Sequence, residues 1–339
     1  MPHRSGVGHE ERIGGVSATG LIRTVRGDVP AARWGLTNAH AHLSLGMEEQ
    51  DHPTWGETAE RYSDHTISIE DTLPELRDYA RAGGTCLVDL TPMGMGREPT
   101  ALARASEETG VHIVMGTGIY HEPFHPDRIA GLDEVQIARI MIGEITEGVD
   151  GTGIRAGIIG EQGTYTGPMT EREATVFRAS ALAALKTGVA VSTHTYLGRN
   201  ALDQIEVLTS AGLAPERIVI GHLDDTEPDL ALCRSIIERG AYAQFDTIGY
   251  EYYTETLGVQ MTTDRVRARA ILELAEEGLA ERIIVASDLC RKRHLSVNGG
   301  PGLPHLIAGF RTLARDEGVP ADVLDLCMIA NPAKILEMV

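Results

Sequence analysis

Two histidines two residues apart, His40 and His42 in the string Thr37-Asn-Ala-His-Ala-His42, are residues whose type and spacing could do chemistry. On a strand, positions i and i+2 point to the same side, so both imidazoles can reach one cation. Farther along, Glu161, His194, His222 and Asp288 each end a short apolar run, as do Asp89 and Asp246. Four imidazoles (His40, His42, His194, His222) and two carboxylates (Glu161, Asp288) are the nitrogen and oxygen ligands that Zn²⁺, Mn²⁺ or Co²⁺ accept. Taken singly, each has an ordinary alternative: a hydrogen-bonded core histidine, or an aspartate that caps a helix. Whether they converge depends on the elements that carry them.

Those elements repeat. Short β-rich runs at residues 35–43, 85–90, 112–116, 155–161, 189–194, 217–222, 241–246 and 282–288 alternate with longer helical patterns. Several of the runs are continuously apolar, as parallel strands covered on both faces are. The clearest helix starts at Thr170, where Thr170 and Glu173 form a capping box. It carries Phe177, Ala181 and Ala184 on one face and stops at Gly188. Leu202, Ile205 and Leu208 share a face in a second helix, and Ile271, Leu274 and Ala275 in a third. Eight strand-then-helix units predict an α/β fold, a (β/α)8 TIM barrel, over residues 34–339. Residues 1–33 read as an N-terminal extension or hairpin closing the barrel floor. No Gly-x-Gly completes a dinucleotide fingerprint after a first strand. In such a barrel the chemistry sits at the C-terminal strand ends, so all six ligand-type residues are expected around one mouth. His121-Glu-Pro-Phe-His125 matches the zincin string, but Pro123 and Pro126 work against the helix that motif needs, so it reads as a loop after strand three. Tyr120 or His121 can line the pocket from that loop.

Composition bounds the partners. The 339 residues carry 30 Lys plus Arg against 49 Asp plus Glu, a formal net charge of −19, which works against nucleic-acid binding. Cys86, Cys233, Cys290 and Cys327 are widely spaced, with no Cys-x-x-Cys pair, and suit reduced thiols. The first fifteen residues are polar and no membrane-spanning run follows, so a soluble cytoplasmic protein without a membrane partner is expected.

The chain resembles the phosphotriesterase family of the amidohydrolase superfamily. The pieces that carry the likeness are Thr37–His42, Gly116-Thr-Gly-Ile-Tyr120, Gly157-Ile-Ile-Gly-Glu161, Ser192-Thr-His-Thr195, Gly221-His-Leu-Asp-Asp225, Phe245-Asp246, Ser287-Asp288 and Gly299-Gly300, in the family's order. The resemblance implies two divalent metal ions, zinc with manganese or cobalt as alternatives. His40, His42 and Asp288 would hold the more buried ion, His194 and His222 the more exposed one, and Glu161 would bridge them. Many members bridge with a carboxylated lysine. Here a glutamate stands at that position, and none of the three lysines (Lys186, Lys292, Lys334) ends strand four, which resembles the branch of phosphotriesterase homology proteins. The organophosphate-cleaving branch carries a histidine after the strand-seven aspartate, whereas Asp246 is followed here by Thr247. A homodimer is a further family-level expectation.

Two cations about 3.5–4 Å apart can share a hydroxide that attacks a carbonyl or phosphoryl centre at neutral pH. Asp288 is the candidate catalytic acid/base, and Asp225 and Asp246 are candidates to orient ligand imidazoles. The loops after strands seven and eight carry Tyr250, Tyr252, Tyr253, Arg291 and Arg293. Tyr250, Arg291 and Arg293, with Tyr120 and His121, are the candidate contacts for a small-molecule substrate; the arginines would favour one bearing a carboxylate or phosphate. The expected activity is hydrolysis of a lactone, carboxylic ester or amide. The alternatives are a phosphoester or phosphotriester hydrolase, and a non-catalytic small-molecule-binding protein on the same barrel.

Overall fold

The computed structural model describes residues 20–46, 64–254 and 257–339. It begins with an antiparallel hairpin of β1 (Leu21–Thr24) and β2 (Gly27–Pro30). Eight parallel strands follow: β3 (Thr37–Ala41), β4 (Cys86–Asp89), β5 (His112–Thr117), β6 (Ile158–Gly163), β7 (Val191–His194), β8 (Ile218–Ile220), β9 (Tyr242–Phe245) and β12 (Ile283–Val285). A short hairpin, β10 (Tyr253–Thr254) with β11 (Val259–Gln260), lies in the loop after β9. Within the barrel, consecutive strands pair in chain order from β3 through β9 to β12. At the seam the His42 amide donates to the Leu289 carbonyl at 2.8 Å and the Asp288 amide to the His40 carbonyl at 2.9 Å, so the sheet comes close to closing beside two expected ligands.

Between the strands run α1 (Ile69–Arg81), α2 (Pro99–Thr109), α3 (Glu134–Thr146), α4 (Glu171–Thr187), α5 (Ala201–Ser210), α6 (Leu230–Glu238) and α7 (Asp264–Glu276). This is the TIM barrel that the eightfold alternation predicts. The α4 boundaries follow from local chemistry. Thr170 Oγ1 accepts the Glu173 amide at 3.1 Å, Glu173 Oε2 accepts the Thr170 amide at 3.0 Å, and Gly188 at φ 76° ends the helix. Phe177, Ala181 and Ala184 are buried against the barrel. His121–His125 contains only a 3₁₀ turn at Glu122–Phe124, with the two prolines in extended or turn conformations. His125 Nε2 pairs with the Tyr120 carbonyl at 3.1 Å, so no zincin helix forms.

The barrel interior is filled from below by Ala39, Val88, Val114, Ile158, Val219, Tyr242 and Ile284. Ile22, Trp34 and Leu336 join this cluster where the hairpin meets the C-terminal helix α10 (Asn331–Leu336; the short α8, Arg311–Asp316, and α9, Ala321–Asp325, precede it). Ile22 bridges to Glu337, and the Val25 amide donates to Ile113 at the start of β5. The hairpin therefore covers the N-terminal ends of the strands and leaves their C-terminal ends free for chemistry. Residues 1–19 of the expected extension lie outside the described residues.

Candidate metal centre

The six residues expected around one mouth meet there. His40 and His42 come from the end of β3 and the residue after it, Glu161 from β6, and His194 from the last position of β7. His222 and Asp288 stand just beyond β8 and β12. All six are buried, Asp288 and His194 the least so. Glu161 divides its carboxylate between two groups of donors. Its Oε2 lies 3.7 Å from His40 Nε2 and 3.6 Å from His42 Nε2; its Oε1 lies 2.6 Å from His194 Nδ1 and 3.0 Å from His222 Nε2. Asp288 Oδ1 joins the first group, 3.5 Å from His40 Nε2 and 3.3 Å from His42 Nε2.

The opposite ring edges are fixed by a single carboxylate. Asp246 Oδ2 accepts from His40 Nδ1 and Asp246 Oδ1 from His222 Nδ1, both at 2.9 Å, which turns both Nε2 atoms toward Glu161. His42 Nδ1 is held by Thr91 Oγ1 at 3.1 Å. Asp89, by contrast, accepts the Leu43 and Thr91 amides and shapes the backbone after β3 and β4 rather than facing the centre. His222 at φ 56° and Asp288 at φ 42° are non-glycine residues in the left-handed region. Such positions cost roughly 1–3 kcal/mol each and persist where the surroundings fix them. Here the His222 amide is held by Asp246 Oδ1 at 3.0 Å and the Asp288 amide by the His40 carbonyl. Two glycines of the sequence motifs make room. A Cβ on Gly118 would meet the Gly160 carbonyl carbon at 2.7 Å, and one on Gly221 would meet Asp246 Oδ2 at 2.9 Å.

Burial opposes a charge on His40, yet Asp288, Asp246 and Glu161 outweigh it and lift that imidazole to about 10. Burial likewise opposes ionisation of Glu161, but His194, His222 and His40 hold it well below the carboxylate range. Burial, with some help from neighbouring acids, pushes Asp225 up to about 7. The donor set fits a divalent cation. It consists of imidazole nitrogens and carboxylate oxygens, and His40 Nε2 is buried without a hydrogen-bond partner while facing two carboxylates. His40, His42 and Glu161 form one group able to hold a metal ion, and Glu161, His194 and His222 another.

Above the centre opens a pocket of about 780 Å³, including the solvent-open mouth. Tyr120, Tyr250, Tyr252, Arg291, Asp225 and Thr247 line it, as do Tyr196 and His65, which the sequence did not single out. Two residues expected to face substrate stand elsewhere. His121 is fully buried, packed against Tyr120, Phe124 and Tyr165, because its ring completes the aromatic wall behind His194. Arg293 is exposed, ion-paired with Asp64 at 2.5 Å and stacked over Tyr252. Asp225 touches no imidazole through a hydrogen bond among the described residues; its carboxyl is part of the pocket wall.

The sequence model of the phosphotriesterase family matches residues 20–336. The chain belongs to the phosphotriesterase family. It is 34% identical over 263 residues to the phosphotriesterase homology protein of Escherichia coli (strain K12), covering 78% of this chain and 87% of that one. It is 31% identical to the N-acetyltaurine hydrolase of Homo sapiens, covering 94% and 99% of the two chains. Among solved structures, a resiniferatoxin-binding protein from Rhodobacter sphaeroides superposes with a TM-score of 0.85 at 30% identity, covering 94% of this chain and 95% of that one. This member of the family is a hydrolase of ester or amide bonds.

Beneath the centre lies a buried support that no sequence motif marks. Asp224 accepts the amides of Asp246 and Thr247 and pairs with Arg267, a fully buried arginine on α7. Arg267 stands four and seven residues before Ile271 and Leu274, on the same apolar face, and a cation on such a face is the signal that could have found it.

Proposed function

We propose that this phosphotriesterase-family hydrolase is a binuclear metal-dependent amidase acting on small N-acyl compounds that bear an anionic group. The observation that carries the metal assignment is the division of the Glu161 carboxylate, with Oε2 toward His40 and His42 and Oε1 toward His194 and His222. Two divalent cations, zinc or alternatively manganese or cobalt, would be held by His40, His42 and Asp288 and by His194 and His222, with Glu161 shared. Bound there, they supply Lewis-acid activation of water and of the scissile carbonyl.

The residues of this chain supply the rest. Asp288 turns Oδ1 to the histidines, while Oδ2 lies 3.7 Å from Cys290 Sγ at the pocket wall. Oδ2 is placed to take a proton from the attacking water and return it to the leaving amine, so that amide and water give carboxylate and amine. The Tyr120 hydroxyl, 3.3 Å from His194, is kept protonated by burial and remains a donor beside the acyl group. The Arg291 side chain lines the pocket, and its guanidinium makes no hydrogen bond or ion pair to a described residue; a guanidinium so placed recognises a carboxylate, sulfonate or phosphate. The amide assignment is supported by relatives named N-acetyltaurine hydrolase, at 29–31% identity over 94% of the chain.

Phosphoester hydrolysis is a second reading, favoured by the E. coli phosphotriesterase homology protein, whose solved structure carries phosphate in its active site (TM-score 0.80, 31% identity, covering 89% of this chain and 98% of that one). Against it, the position after Asp246 holds Thr247, whose hydroxyl is engaged by Asp224 and Arg267 rather than offering an imidazole. The test is proton release by zinc- or manganese-loaded protein on N-acetyltaurine, N-acetyl amino acids, an uncharged N-acetyl amine, a lactone, an aryl ester and a phosphotriester, against a chelated control. Metal-dependent turnover favouring the anionic N-acyl compounds is expected, with Arg291→Met raising KM for those alone. Preference for the phosphotriester, or turnover indifferent to chelation, overturns the proposal.

A further inference from the structure

The metal-orienting carboxylate Asp246 does not hold itself in place. It directly follows β9, and its amide and that of Thr247 both donate to Asp224, at 2.8 Å to Oδ1 and 3.1 Å to Oδ2. Asp224 is fully buried, and the group that answers its charge is Arg267, whose Nε lies 2.9 Å from Oδ2. The same guanidinium donates from Nη1 to Asp264 Oδ1 and from Nη2 to Thr247 Oγ1 and the Tyr250 carbonyl, each at 3.0 Å. Asp264 in turn accepts the Gly249 amide at 2.8 Å and pairs with His305 at 2.6 Å. Arg267 is thus a buried fork whose partners all lie on the turn that follows β9 or directly support it.

We infer that Arg267, acting through Asp224, is a positioning residue for both metal pockets at once. The inference rests on the metal assignment made above but not on the choice of substrate. Asp246 grips His40, a donor of one pocket, through Oδ2 and His222, a donor of the other, through Oδ1. A shift of the β9 end therefore misaims one imidazole in each pocket. Because Thr247 and Tyr250 also line the substrate pocket, the same fork sets the wall above the metals. Breaking a buried ion pair is destabilising wherever it occurs, so loss of stability alone says nothing about positioning. A comparison is available in Arg97, whose side chain is also buried and pairs with Glu144 at 2.9 Å, and which makes no hydrogen bond or ion pair to a ligand of the centre.

The experiment uses the metal-loaded protein and reads release of Co²⁺ or Zn²⁺ to a chromogenic chelator, together with the visible spectrum of the cobalt form. Arg267→Met should speed release of both equivalents by about 10–100-fold, the range typical of lost support behind metal ligands, and alter the cobalt spectrum. Arg267→Lys should recover part of the retention, because it restores the charge without the fork. Arg97→Met should lower the melting temperature while leaving release and spectrum as in the parent. Should Arg267→Met fail to fold, Asp224→Asn, which keeps an acceptor for the Asp246 amide but loses the Arg267 pairing, carries the same expectation. Release and spectrum unchanged in the Arg267 and Asp224 variants, release from one equivalent only, or equal effects in Arg97→Met, each overturns the inference. These readouts need no substrate, so an unexpected substrate preference leaves them untouched.

Discussion

At the scale of single residues, the site separates into side chains that would touch metal and side chains that aim them. Glu161→Gln keeps the shape but removes the charge that both groups of histidines share, so metal content by atomic emission should fall from two equivalents toward one; two tightly held equivalents would remove Glu161 from the bridging role. Asp288→Asn should lower kcat by at least about 100-fold, in keeping with loss of a general acid/base, while circular dichroism and melting stay near the parent. Unchanged kcat would take Asp288 out of the proton path. The six ligand-type residues were legible in the sequence because each lies near or just beyond the C-terminal end of a strand, and strand ends have a fixed place in a barrel. Arg291 and Arg293 were not separable in that way. They sit in one loop, two residues apart, yet one lines the pocket and the other pairs with Asp64, a difference set by tertiary packing. Asp224 and Asp225 present the same problem: adjacent carboxylates point one inward to Arg267 and one to the pocket.

At the scale of elements, the parallel strands were readable because burial on both faces demands continuous apolar runs, and each of the eight expected segments overlaps a strand. The helices were readable where capping chemistry marks their ends. Thr170→Ala removes the acceptor for the Glu173 amide and should cost about 1 kcal/mol in urea denaturation, with no change in metal content; a loss under a few tenths would show that Glu173 alone holds the helix start. That residue has other work, since its Oε1 accepts the Tyr165 amide at 2.8 Å and so ties α4 to the loop after β6. The interior of α7 was less transparent. Arg265, Arg267 and Arg269 alternate in sequence, and only placement on the apolar face distinguishes the buried Arg267 from its neighbours, which pair with Glu317 on the surface.

At the scale of the whole molecule, acidity bears on stability as well as on partners. His125 is largely buried, and burial together with the Arg172 charge lowers its imidazole to about 4. Above pH 6.5 folded and unfolded chains both carry it neutral. Between about 6.5 and 4 only the unfolded chain takes up the proton, so folding stability falls as pH drops across that window, by up to about 3 kcal/mol from this group. His125→Gln, which can still donate to the Tyr120 carbonyl, should flatten that part of the stability–pH curve measured by urea denaturation. Parallel curves for parent and variant would count against it.

The stitching of the first hairpin to the last helix means that the ring of strands has no obligatory starting point. The Met338 amide donates to the Leu21 carbonyl at 3.0 Å and Ile22 pairs with Glu337, on the face away from the mouth. Residue 339 can therefore be joined to residue 20 by a short glycine-rich linker and the chain reopened at the exposed Gly110, before β5. Such a circular permutant should bind the same number of metal equivalents as the parent, since every ligand keeps its strand although the order of synthesis changes. Substantially lower metal content would show that the order of the strands along the chain, and not only their final neighbours, shapes the centre.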